Sequence, residues 1–124
     1  MKKKDTALSS AEWTLMQVLW RGGKMSIREI MDSVGEETGW TIHSVISFLK
    51  RMEVKGAIAI HEERPIKYSA LLDREDAVKS ETKELLGRVY GGEKLLMIKC
   101  AVDAEPLSDE EREELIALLK GGEL

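Results

Sequence analysis

The stretch GWTIHSVISFLKRMEVKG, residues 39–56, holds the side chains with the most chemistry to offer. Ile42, Val45, Leu49 and Met52 step by 3, 4 and 3, the spacing of a buried helical stripe, and Phe48 widens it. On that reading Thr41, Ser44, Ser47 and Arg51 lie along the exposed face, spaced 3, 3 and 4. His43 and Lys50 flank them, and no acidic residue precedes Glu53. Small side chains let a helix sit deep in the roughly 12 Å major groove of DNA, where hydroxyls bond base edges or phosphates. Cations at the far end reach the backbone. A solvated amphipathic helix produces the same pattern with no ligand at all. Serine and threonine are mediocre helix formers, however, so three of them on one exposed face cost stability that Glu, Lys or Ala would not. That cost favours the groove reading.

A reading helix needs a scaffold, and the flanking sequence supplies one. SSAEWTLMQVLWRGG opens on the capping box Ser9-x-x-Glu12 and closes on Gly22-Gly23. Trp13, Met16, Leu19 and Trp20 are its expected inner face. MSIREIMDSVGEETG repeats the plan, with Ser26-x-x-Glu29 as the box and Ile27, Ile30, Met31 and Val34 as the core face. The third helix is residues 41–55. AIAIHEERPIKYSALL then reads as two short strands around a turn at Glu62 to Pro65. Three helices and a hairpin, in that order, make a winged helix-turn-helix. Three more helices follow. One starts at Asp73 and ends at Gly91-Gly92, one covers EKLLMIKCAVDAE, and the last is boxed by Ser108 and Glu111. The expected class is mainly α: a winged helix-turn-helix over residues 1–72, then a helical dimerisation region over 73–124.

Charge follows the same division. The net charge is −4, but residues 1–72 carry +2 and residues 73–124 carry −6. An acidic whole therefore leaves the first half free to meet a polyanion. The apolar fraction of 43% is enough for a core, and no apolar run reaches the roughly 18 residues of a membrane span. The start, MKKKDTALSS, is basic but has no signal-peptide core, so a cytoplasmic protein without membrane insertion is expected. The single cysteine, Cys100, builds no internal disulfide and reads as a buried packing residue in LMIKCAV. His43, His61 and Cys100 lack ligand spacing, so no metal and no cofactor are expected. Helix N-termini explain the carboxylates of residues 105–114, and no catalytic residues are assigned.

The chain resembles the penicillinase-repressor family of winged-helix transcription repressors, the BlaI/MecI/CopY type. SSAEWTLMQVLW, WTIHSVISFLKRMEVKG, RVYGG and LSDEEREEL carry the resemblance over nearly the whole length. It implies a repressor that occupies a near-palindromic operator, with the third helix in the major groove and the C-terminal helices pairing two subunits. The family's two helix threonines fall on Ser44 and Ser47, its arginine on Arg51, and its helix entry on Trp40 and Thr41. With His43 and Lys50 these are the expected DNA contacts. There are three departures. The turn HEERP carries Glu62 and Glu63, where a phosphate-gripping wing is basic. The Asn-Phe cut site of protease-regulated members is replaced by Cys100-Ala101, and the Cys-x-Cys tail of copper-responsive members is absent. A regulatory protease or other inducer is therefore left unidentified.

Leu85, Leu86, Val89, Tyr90, Leu95, Leu115, Leu118 and Leu119 crowd the last three helices, which are too short to bury them among themselves. Packing back on the first domain is one outlet; a two-fold homodimer interface is the preferred one. The competing function is a winged-helix protein–protein interaction module without sequence-specific DNA binding, which the acidic hairpin would suit.

Overall fold

The computed structural model describes residues 7–121. The basic start at Lys2 to Lys4 lies outside the described residues. The element order is α1 (Ser10–Gly22), β1 (Met25–Ser26), α2 (Ile27–Thr38), α3 (Ile42–Val54), β2 (Ile58–His61), β3 (Lys67–Ala70), α4 (Arg74–Arg88), α5 (Lys94–Ala104) and α6 (Asp109–Leu119). The chain divides into two compact units, residues 1–77 and 78–124, with the division inside α4.

Local chemistry sets the helix boundaries. α1, α2 and α6 each begin with a complete capping box, Ser9 with Glu12, Ser26 with Glu29 and Ser108 with Glu111. Each box satisfies two backbone N–H groups that a helix start leaves without partners. Asp73 gives α4 only the first half of that arrangement, accepting the N–H of Asp76 at 3.2 Å. α3 ends in a Schellman turn: Ala57 N–H donates to Met52 O and Gly56 N–H to Glu53 O, both at 2.9 Å. Gly56 sits at φ +80°, a conformation that a side chain would strain. This turn aims the chain into β2.

In the first unit, α1, α2 and α3 close on a small antiparallel sheet of order β1-β3-β2. β2 and β3 form the expected hairpin, with Ile58 opposite Ala70 and Ile60 opposite Tyr68. β1 is an addition to the expected plan and pairs Met25 with Tyr68. The core joins Leu15, Met16 and Leu19 of α1, Ile30 and Val34 of α2, Val45, Leu49 and Met52 of α3, and Ile58 and Tyr68 of the hairpin. Trp13 and Trp20, expected on the inner face of α1, are half-buried, while Leu15 and Val18 take the interior. The Trp20 indole donates to Leu72 O at 2.9 Å and ties α1 to the chain leaving β3.

In the second unit, no residue of α5 or α6 is buried among the described residues. Leu86, Tyr90, Met97, Val102, Leu107 and Leu115 are half-buried; Val89, Leu95, Leu96, Ile98, Ile116, Leu118 and Leu119 are exposed. Cys100 is exposed as well, which corrects the expectation of a buried packing residue. Apolar neighbours in sequence do not bury a side chain when its helix has no fully covered face.

Candidate nucleic-acid interface

α2 stops at Gly39, Trp40 crosses the gap, and Thr41 caps α3. The Thr41 hydroxyl accepts the Ser44 N–H at 3.1 Å and donates to the Ser44 hydroxyl at the same distance. The cap is therefore neutral, and α3 has no acidic residue in its first turn. α1, α2, α4 and α6 all do, and α5, like α3, does not. The positive end of the α3 dipole is left without a compensating carboxylate in that turn, which suits a phosphate.

Val45, Leu49 and Met52 are fully buried, as the spacing requires. At about 100° per residue the opposite side of the helix is centred on His43, Ser47 and Lys50, and all three are exposed. Ser44 is half-buried on one flank, beside Arg51. Ile42 departs from expectation: the spacing puts it on the buried stripe, but it is 42% exposed. It is the first residue of the helix, and Cβ bonds tilt toward the helix N-terminus, so its side chain leans past the last layer of core. Trp40 is half-buried against the core and meets Phe48 edge-on, with ring centroids 5.2 Å apart. Its ring thus fixes the helix entry by packing.

Arg51 is set in a framework. Its guanidinium carbon lies 5.4 Å from the centroid of the Phe48 ring, and its Nε lies 3.6 Å from Glu12 Oε2. Glu12 is a residue whose role the sequence reading missed beyond its cap. It is 1% exposed, accepts the Ser9 backbone N–H at 2.9 Å, and holds Lys55 Nζ at 2.5 Å. Lys55 also donates to Ala7 O at 2.8 Å. Burial works against the Glu12 charge, but the Lys55 bond, the Ser9 N–H and the nearby Lys55 and Arg51 charges outweigh it. Its carboxyl is held below the usual carboxylate range.

The wing is less acidic than its sequence. Glu63 pairs with Lys24 at 2.5 Å, and that bond holds its carboxyl below the ordinary range. Glu62 and Arg64 are exposed at the tip. His61 Nε2 lies 2.8 Å from the Ser69 hydroxyl, so one of the two histidines is occupied within the hairpin. Among the described residues no His, Cys, Asp and Glu side chains come together in a metal-holding group, and no helix is long and apolar enough to cross a membrane.

Comparison with known proteins supplies the family. The family model described as penicillinase repressor matches residues 8–121. The chain is 28% identical over 119 residues to the penicillinase repressor of Bacillus licheniformis, covering 95% of this chain and 93% of that protein. It is 28% identical over 120 residues to the methicillin resistance regulatory protein MecI of Staphylococcus aureus strain N315, covering 96% and 98%. Among solved structures, the DNA binding domain of the repressor BlaI superposes with a TM-score of 0.53 at 27% identity, over 61% of this chain and 93% of that domain.

Proposed function

The chain belongs to the penicillinase repressor family and is a DNA-binding transcriptional repressor, and from that premise we propose that it acts as a homodimer on a near-palindromic operator read by α3. The observation that carries the reading is the outer face of α3. His43, Ser47 and Lys50 occupy its centre, Ser44 and Arg51 its flank, and Thr41 its neutral cap. Lys50 and Arg51 approach phosphates and set the register, and the hydroxyls meet base edges from the N-terminal half. Trp40 acts through the position it gives the helix.

One first unit supplies few cations, so alone it binds near the roughly 10⁻⁴ to 10⁻⁶ M of non-specific complexes. Pairing two copies makes the second half-site encounter intramolecular and raises avidity by about 10² to 10⁴. The exposed apolar side chains of α5 and α6 suit that pairing, which would divide the chain by role into residues 1–72 for DNA and 73–124 for the dimer. Repression follows by occupancy, in the cytoplasm, without catalysis. Any event that separates two copies would relieve repression without touching α3.

A gel-shift series with sheared genomic fragments at low and moderate salt tests the reading. A subset of fragments retained at moderate salt is the expected result. Equal, weak retention of all fragments, lost together as salt rises, would leave only non-specific binding.

A further inference from the structure

Among the described residues there are three complete capping boxes, and they are not equivalent. The box glutamates Glu29 and Glu111 are exposed, which shows that capping does not require burial. Glu12 performs the same capping while 1% exposed, and it alone of the three is paired with cations. A buried carboxylate is costly to keep and is weak evidence for stability, since apolar residues of similar volume do as well or better. The arrangement instead brings two cations, one from α3 and one from its C-terminal cap, to the carboxylate of α1. Lys55 is pulled inward and is only partly exposed, joined to Glu12 and Ala7 O. Arg51 is held more loosely and keeps a side chain 59% exposed.

The two restraints on Arg51 act on different parts of it. Glu12 faces Nε, and the guanidinium carbon lies over the Phe48 ring. Among the described residues no hydrogen bond takes the outer pair of nitrogens, the fork that grips a phosphate with two parallel bonds. We infer that Glu12 is a positioning residue for DNA recognition, which holds Arg51 against Phe48 so that its outer nitrogens are presented to a backbone phosphate beside α3. This rests on the proposal that α3 docks on DNA. It adds that α1 sets the geometry of that contact from behind. A guanidinium held in place beforehand loses less freedom on binding than a free one.

The test is a double-mutant cycle in the full chain. Glu12→Gln keeps a capping box, since glutamine serves at that position, but removes the charge that holds Arg51. The probe is the duplex that the unaltered protein retains most tightly from sheared genomic DNA. Affinities are measured for the unaltered chain, Glu12→Gln, Arg51→Ala and the double variant. Loss of the buried negative charge also strengthens long-range attraction to DNA, but that effect is common to both backgrounds and cancels in the cycle. The weakening caused by Glu12→Gln should be about threefold or more larger in the unaltered background than in the Arg51→Ala background. Equal effects in both backgrounds would overturn the inference and leave Glu12 as a fold element only. Should Glu12→Gln unfold, Arg51→Lys decides: it keeps the charge and loses the fork, so it should recover only part of the affinity lost in Arg51→Ala. Lysine binding as tightly as arginine would overturn it. If the unaltered chain retains no duplex selectively, the DNA reading fails first, and the inference with it.

Discussion

Consider truncating Leu118 and Leu119 to alanine. They are 48% and 72% exposed on α6. Full burial of a leucine side chain is worth roughly 1.5–3 kcal/mol, so covering what remains is worth on the order of 1 kcal/mol at Leu118 and 1.5 kcal/mol at Leu119. A two-fold interface uses each patch twice. With the alanine methyls retained, the dimer should lose about 4 kcal/mol, near a thousandfold in Kd. The same exposure predicts little harm within one copy. Alanine is the best helix former, so helix content should hold. Sedimentation equilibrium over a concentration series, with circular dichroism as the fold control, gives both quantities. A folded double variant whose dimer persists to the same dilution as the unaltered chain would refute the assignment of α6 to the interface.

The first unit can be probed at single residues. Ser44→Ala and Ser47→Ala should each cost roughly 1 kcal/mol or more on the tightest duplex and leave non-specific affinity nearly unchanged; equal losses on both would move the hydroxyls to phosphate contacts. Leu49→Ala, at a fully buried position of α3, should cost about 2.7–5 kcal/mol in chemical denaturation. A cost below about 1 kcal/mol would mean that the core is not packed as described. Glu12, whose folded carboxyl titrates below its ordinary 4.5, contributes stability that is present above that value and lost as pH falls through the lower folded one. Thermal melts of the unaltered chain and Glu12→Gln should therefore converge on acidification; a constant gap from pH 7 to about pH 3 would contradict the ion pair.

Features written in short stretches of sequence were the readable ones. The capping boxes at Ser9, Ser26 and Ser108 marked three helix starts because both partners lie three residues apart. The hairpin was legible from Ile58, Ile60 and Pro65. β1 was not, because two residues have no periodicity and Met25 finds Tyr68 only in the folded chain. Ile42 obeys the stripe spacing, yet a helix end lies beyond the core that the stripe faces. Glu12 looked like a cap and nothing more, since Lys55, which completes its pairing, is 43 residues away. The pairing of Glu63 with Lys24, which softens the acidic wing, is equally hidden, since its partners are also far apart in sequence.

The central claim is that two copies of α3 read two halves of one operator. It is tested most directly with the duplex recovered from genomic DNA, bound by the full chain intact and again with one half scrambled. The intact duplex should bind tighter by about 10² to 10⁴ and fill with one dimer. Equal affinity for the two duplexes, or one copy of the chain saturating the intact one, would contradict it.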